Sequence, residues 1–145
     1  MKQTRTAAIV LVLALAAGSA VARSTDIYEP PAVMWTASPE TTTQQLHDRI
    51  VVAAKSLGWM VVGDEPGRLE LHYDKQGKHQ VNIAVHYDTD TYRISYLHSV
   101  NLNYSEGDGK REIHPNYNRW VRNLMKKIST CLLYTSPSPR DQRGS

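Results

Sequence analysis

Four short stretches in the middle of the chain limit how it can fold more than any other feature. Three of them alternate between apolar and polar residues, which is typical of strands that bury one face and leave the other in water. The first stretch leads into a Pro-Gly turn, which favours a hairpin. We therefore predict a four-stranded antiparallel meander. The stretches are WMVV (59–62), RLELHY (68–73), HQVNIAVHY (79–87) and YRISYLHSV (92–100).

The alternation also predicts which residues face each other across the strands. Pairing Tyr87 with Tyr92 keeps the apolar residues of the last two strands on one face, and burial normally fixes such a register. This register turns His98 toward that same face. In the preceding hairpin the same reasoning pairs Tyr73 with His79, so we expect both histidines on the buried side of the sheet.

Amphipathic stretches flank the four strands. Residues 41–57 carry apolar side chains at helical spacing, with Thr41 and Gln44 in the pattern of a capping box and Gly58 just past the end. A second helix is predicted to begin at Pro115, since proline is favoured at the first helical position. We therefore predict an α+β fold in a single domain, with both helices packed on one face of the sheet.

The N-terminal residues have the pattern of an export signal. Residues 1–22 combine two basic residues, an apolar run, and small residues Ala20 and Ala22 at the spacing that a signal peptidase accepts. The apolar run is shorter than the roughly 20 residues of a membrane-spanning helix. Since no cysteine follows the run directly, we predict a cleaved, non-lipidated signal peptide and a periplasmic or secreted protein.

The C-terminal residues 131–145 continue no pattern of the preceding chain. From Cys131 to Asp141 they resemble the translation of a transposase-type sequencing adapter. A disordered tail rich in Ser and Pro is the other interpretation. The adapter interpretation predicts a non-native tail, with the native sequence cut at about Thr130.

The rest of the chain divides into an arm and a domain. Residues 23–40 hold three prolines and show no sustained periodicity, so we predict an extended linker or arm. Residues 41–130 are predicted to form the α+β domain. Together these residues are numerous enough for one hydrophobic core.

Charge and cysteine content narrow the class of protein. The whole chain has a formal net charge of +3. Residues 23–130, however, hold 13 basic and 13 acidic side chains, and this balance argues against binding to nucleic acid. The only cysteine is Cys131, so the predicted mature domain has no disulfide, thiol nucleophile or thiolate zinc site.

Three segments carry a resemblance to known proteins. They read GWMVVGDEPGRLE, HQVNIAVHYDTDTYRISYLHSVNLNY and IHPNYNRWVRNL, and they span residues 58–124. The chain resembles a group of small proteobacterial envelope proteins, some of which are lipoproteins. The resemblance implies an envelope location and no particular activity. This chain departs from the lipoprotein members because it lacks their lipid-accepting cysteine.

One end of the predicted sheet gathers the candidate site. His79 and His98 are expected to be diagonal neighbours, about 7–8 Å apart, and His114 is expected to fold back over them. With Tyr104 from the connecting loop, they form a predicted ligand-binding site. Three imidazoles also suit zinc or copper, so a metal site of His79, His98 and His114 is the alternative. Histidines that only hydrogen-bond at the rim of the core are the simplest interpretation.

Catalysis has little support in the sequence. Ser99 follows His98, but adjacent strand residues point to opposite faces and cannot pair directly. No serine-hydrolase elbow, phosphate loop or zinc-protease motif is present. We therefore expect a protein that is not an enzyme and uses no cofactor. A small hydrolase acting on envelope polymers is the weaker alternative.

The leading functional hypothesis is a non-catalytic binding or accessory module of the cell envelope. Its partner would be an envelope protein or polymer. The basic side of the second helix, with Arg119, Arg122 and Lys126, suits a weak contact with an anionic surface. A solvated helix face is the simpler interpretation of these three residues.

Overall fold

A computed structural model describes residues 23–35 and 39–133. The predicted signal peptide and most of the predicted tail lie outside this part of the chain. The helices in it are α1 (Thr43–Ser56) and α2 (Pro115–Leu133). The strands are β1 (Thr25–Asp26), β2 (Val33–Met34), β3 (Met60–Glu65), β4 (Arg68–Lys75), β5 (His79–Tyr87), β6 (Thr91–Val100), β7 (Ser105–Gly107) and β8 (Lys110–Ile113).

The strands form two antiparallel sheets. The larger sheet has the order β2-β6-β5-β4-β3, so the four long strands follow one another and β2 extends the sheet beside β6. The smaller sheet has the order β1-β8-β7. The α+β class is confirmed, but the prediction of one four-stranded sheet is wrong. The strands β1, β2, β7 and β8 have only two to four residues. They are too short to show a period of two, so the sequence did not indicate their pairing.

One hydrophobic core joins the helices to the larger sheet. Helix α1 contacts α2, β3 and β5, and apolar side chains of both helices lie in one buried cluster with those of the long strands. Across the described ranges, neither helix combines the length and apolar character needed to cross a membrane. Central members of the core are Leu46, Ile50, Leu71, Ile83, Tyr117 and Leu124.

The arm and the tail boundary differ from simple flanking segments. Residues 23–40 supply β1 and β2, so the arm belongs to both sheets. Tyr28 donates its backbone N–H to the Asn118 side chain over 2.7 Å, which ties the arm to α2. Helix α2 continues past Thr130, and Cys131 packs against the core.

Helix α1 begins one residue later than predicted. The Thr42 hydroxyl accepts the Gln45 backbone N–H at 3.2 Å, and the Gln45 side chain accepts the Thr42 N–H at 3.0 Å. This is a capping box with the predicted chemistry, but it uses Thr42 and Gln45 rather than Thr41 and Gln44. The repeated letters of TTTQQ offer the same spacing in two registers.

Gly58 ends α1 as predicted and provides a test of that ending. Its φ is +87°, a left-handed conformation that costs most L-residues energy. We expect Gly58→Ala to lower the free energy of unfolding by about 1 kcal/mol, measured by urea denaturation. The control is Gly107→Ala, since Gly107 has no positive φ and no atom near an added Cβ. Equal losses in the two variants would contradict this role for Gly58.

A bulge changes the predicted register between β5 and β6. Tyr87 does lie opposite Tyr92, as predicted. Further along, the pairing shifts beside Asn82, which faces His98 with Leu97 as the extra residue of β6. His98 is therefore exposed on the outer face of the larger sheet, the face away from the helices. The prediction that His98 points toward the helices is wrong.

The β4–β5 hairpin is tighter than predicted. Tyr73 pairs with Val81, and Lys75 pairs with His79, so the predicted Tyr73–His79 pair is wrong by two residues. The chain turns through three residues, and Gln76 has a φ of +58°. Because a shift of two preserves side-chain direction, the buried face remains the predicted one.

Candidate functional site

The structure separates the predicted site residues into two pairs. The rings of His79 and His114 stack with centroids 5.9 Å apart and planes inclined by 25°. His98 and Tyr104 instead line an open cleft beside the end of β6. The predicted convergence of three histidines is therefore wrong, because the bulge at Leu97 turns His98 to the outer face.

The contacts of the stacked histidines argue against the metal alternative. His79 Nδ1 lies 2.8 Å from the Asn101 carbonyl and must donate to it. His114 Nδ1 lies 3.2 Å from the Asn116 backbone N–H and must accept from it. Neutral His114 therefore carries its proton on Nε2, where a metal would need a lone pair. Within residues 23–35 and 39–133, no group of three or more His, Cys, Asp or Glu residues is placed to hold a metal.

The same two histidines support one wall of the cleft. His79 binds the Asn101 carbonyl, and the Asn101 side-chain amide donates to the Lys78 carbonyl over 2.9 Å. The His114 backbone N–H donates to the Leu102 carbonyl over 2.7 Å. The β4–β5 turn and the start of α2 thus hold the loop that follows β6.

That loop also adopts an uncommon backbone conformation. Asn101 has a φ of +57° and Asn103 a φ of +49°. The left-handed region is several-fold more accessible to Asn than to most non-glycine residues. The loop is therefore held by its hydrogen bonds and by asparagine residues that tolerate this conformation.

The cleft is about 720 Å³ in volume and open to solvent. Its walls come from β6 at residues 96–99, the loop at residues 101–104, and the side chains of Glu106 and Arg111. This volume lies in the usual range for ligand sites in proteins, about 300–1,000 Å³. The cleft therefore has room for a small ligand or part of a chain.

Tyrosine rings form the apolar part of the cleft. Tyr96 stacks on Tyr104 with centroids 4.5 Å apart and planes inclined by 21°. Tyr117 meets Tyr96 edge-on at 5.6 Å. Burial raises the pKa of both Tyr96 and Tyr117, so their hydroxyls are protonated at neutral pH. The rings therefore present a rigid, neutral platform.

Arg111 binds the polar and acidic groups around these tyrosine rings. Its Nε donates to the Tyr104 hydroxyl over 2.9 Å, and that hydroxyl donates to Glu106 over 3.0 Å. Another guanidinium nitrogen forms an ion pair with Glu29 from the arm. The bond to Tyr104 and the nearby Glu29 raise the pKa of Arg111 above its ordinary value. The positive charge is thus already compensated within the protein.

Two cleft residues keep unused hydrogen-bonding groups. Among the described residues, none is hydrogen-bonded to the His98 ring or to the Asn103 side-chain amide. Ser99 does have a partner, because its hydroxyl lies 2.8 Å from the Tyr96 hydroxyl. Because His98 lies on the outer face of the larger sheet, the Asn103 amide is the cleft group most available to a ligand.

Arg111 and Glu29 were missed by sequence reasoning. Arg111 lies in a stretch of charged residues that resembles an ordinary loop, and Glu29 lies 82 positions away in the arm. Of the predicted site residues, His98 and Tyr104 are among those that line the cleft. No sequence pattern indicated that the arm reaches Arg111 at the cleft.

The predicted basic side of α2 is partly engaged with the arm. Arg119, Arg122 and Lys126 are all exposed. The Arg122 guanidinium carbon lies 4.3 Å from the centre of the Tyr28 ring, a distance at which a cation is attracted to the ring face. Arg122 therefore has a structural contact, while Arg119 and Lys126 point to solvent.

A second cluster, around His47, was also missed. His47 Nδ1 lies 2.8 Å from Asp48, and Nε2 lies 2.9 Å from Asp64. The Gln44 side chain also donates to Asp48 over 2.8 Å, and the Tyr87 ring lies 6.1 Å from the imidazole. A depression of about 510 Å³ is bordered by Gln44, His47, Asp64 and Tyr87. Asp64 and His47 come together only in the folded chain, and no local sequence pattern indicates their contact.

His47 should make stability depend on pH. Both ring nitrogens can donate at once only in the protonated imidazolium. Partial burial lowers the pKa of His47, but the hydrogen bonds and charges of Asp48 and Asp64 outweigh it and raise the pKa above 6.5. The contribution to stability is therefore fully present below about pH 6.5 and is lost as the pH rises through the folded-state pKa.

We expect the stability difference between the wild type and His47→Gln to shrink as the pH rises from about 5.5 to about 8.5. The difference is the relevant quantity because burial, helped by Arg93 and Arg68, lowers the pKa of His86, whose effect has the opposite sign. Urea denaturation at each pH measures both proteins. A difference that does not change with pH would contradict the assignment to His47.

This chain was compared with protein families, curated proteins and solved structures. No protein-family model, curated protein or solved structure matches this chain.

Proposed function

We propose that this protein is a non-catalytic binding module of the bacterial envelope, with the cleft at Tyr104 as its ligand site. The proposal rests on the observation that contacts within the protein already hold the cleft in shape. Its loop, its rings and its guanidinium are all held by contacts within the protein. A site that needs no ordering on binding loses less conformational entropy and so binds more tightly.

The polar groups of the cleft suit binding better than nucleophilic catalysis. A catalytic serine requires a base within hydrogen-bonding reach. The Ser99 hydroxyl instead bonds to the Tyr96 hydroxyl. The Tyr104 hydroxyl is occupied on both sides, by Arg111 and by Glu106. These contacts support a role in recognition.

The envelope location rests on the sequence. The export pattern of residues 1–22 and the resemblance over residues 58–124 both favour a periplasmic or secreted protein. An envelope protein or polymer is then the expected partner. Arg119 and Lys126, exposed on α2, are available for a weak contact with an anionic surface.

The test is a chemical-shift titration of the purified, ¹⁵N-labelled protein. The probes are an uncharged oligosaccharide, an acidic polysaccharide fragment and a mixed-sequence peptide. We expect at least one probe to produce saturable shifts confined to the cleft, including the Asn103 side-chain amide and the Arg111 Nε–H, and to keep its mass. The proposal fails if no probe shifts these signals. Shortening of a probe, seen by mass spectrometry, would show an enzyme instead.

A further inference from the structure

We infer that the cleft binds an uncharged, hydroxyl-rich carbohydrate chain, an assignment that rests on the proposed binding function. The first argument is charge. Apart from His98, Arg111 is the only basic residue among the described residues that line the cleft, and Glu29 already compensates it. An anionic polymer would meet the Glu106 carboxylate without a free cation to balance its own charge.

A cationic ligand is also poorly matched. Glu106 is the only carboxylate of the described cleft lining. It already accepts the Tyr104 hydroxyl, which is held in turn by Arg111. A cation reaching Glu106 would lie near the guanidinium, and like charges in such proximity repel. Both signs of charge are therefore disfavoured, and a neutral ligand is left.

The free groups match hydroxyls. The Asn103 amide provides two donors and an acceptor. The hydroxyls of Ser99 and Tyr96, which bond to each other, can also serve in both roles. A sugar hydroxyl likewise donates and accepts, so this mixed set can satisfy it from several directions.

The rings and the open shape favour a chain of sugars. Tyr104 is only partly buried and stacks with one face on Tyr96, so its other face offers an apolar surface with a hydroxyl at its edge. A pyranose ring has the complementary form, with apolar C–H faces and polar edges. Because the cleft is open to solvent, a bound chain can be longer than the cleft, with its remaining sugars in solvent.

The test compares three hexasaccharides of similar length and different charge. They are β-1,4-linked N-acetylglucosamine, which is neutral, its deacetylated form, which is cationic, and a galacturonate chain, which is anionic. Calorimetry gives the dissociation constants, and chemical-shift mapping locates each site. We expect the neutral chain to bind at the cleft at least about tenfold more tightly than either charged chain.

A variant pair ties the binding to the cleft. Asn103→Gly removes the free amide and keeps the left-handed backbone accessible. It should raise the dissociation constant of the neutral chain about three- to tenfold. Asn123→Ala, which alters an exposed asparagine of α2, should leave it unchanged. Equal effects of the two variants would overturn the assignment.

The remaining outcomes distinguish a failure of the carbohydrate assignment from a failure of the proposed binding function. Cleft shifts caused by a charged chain or by the peptide probe, without binding of the neutral chain, would overturn the carbohydrate class and keep the cleft as a binding site. The absence of cleft shifts with every probe would overturn both.

Discussion

Replacing Ile83 with alanine is expected to lower the free energy of unfolding by about 2–5 kcal/mol. Ile83 is fully buried and lies between Leu71 of β4 and Tyr96 of β6. Truncation therefore removes buried apolar area and leaves a cavity in the central strand. A loss of this size is a large share of the about 5–15 kcal/mol that stabilises a typical domain. Urea denaturation followed by circular dichroism measures it.

Two further variants control this result. Ile83→Val should cost only about 0.5–1.5 kcal/mol, which gives a measurable intermediate if the alanine variant does not fold. Val100 belongs to β6 but is 49% exposed, and Val100→Ala should cost less than about 1 kcal/mol. Similar losses for Ile83→Ala and Val100→Ala would show that the sheet does not pack as described.

The second large effect is expected from Arg111→Met, which removes the charge and keeps a long side chain. Tyr104 loses the donor that holds its hydroxyl, and Glu29 loses its ion-pair partner. The carboxylates of Glu29 and Glu106 then lose the cation to which Glu29 binds directly and Glu106 is connected through the Tyr104 hydroxyl. We expect the dissociation constant of the neutral hexasaccharide to rise more than about tenfold, measured by calorimetry.

Arg122→Met is the matched control for that variant. Arg122 also lies over a tyrosine ring, that of Tyr28, but outside the cleft. Its replacement should change binding by less than about twofold, since a contact outside the site contributes little to affinity. Arg111→Lys should fall between the two, because lysine keeps the charge but cannot reproduce the planar guanidinium bonds. Equal binding by Arg111→Met and the wild type would remove Arg111 from the site.

Long periodic segments explain why much of the fold could be predicted. The alternation through Leu71, Ile83 and Ile94 identified the strands and their buried face, because a period of two has only two possible orientations. Gly58 and Pro115 marked helix ends correctly. The strands of the arm were missed because their pairing partners lie far along the chain, as with Thr25 and Ile113.

The candidate site was harder to predict because it depends on single-residue shifts. The extra residue Leu97 leaves no visible break in the apolar alternation of the sequence, yet it moves His98 from the buried face to the outer face of the sheet. Tyr104 was predicted as a site residue because an aromatic residue in a polar loop suggests a surface role, and it lines the cleft. Arg111 and Glu29 carry the charge balance of the cleft, and only the folded arm reveals that they meet.

Intermolecular nuclear Overhauser effects between the neutral hexasaccharide and the protein test the central claim most directly. If the cleft binds a carbohydrate chain, contacts will appear between sugar ring protons and the aromatic protons of Tyr104, with further contacts to the Asn103 amide. The claim is contradicted if the sugar protons instead contact the outer face at His72 and Met60, which pair with each other there, or the depression at His47, while Tyr104 shows no contact.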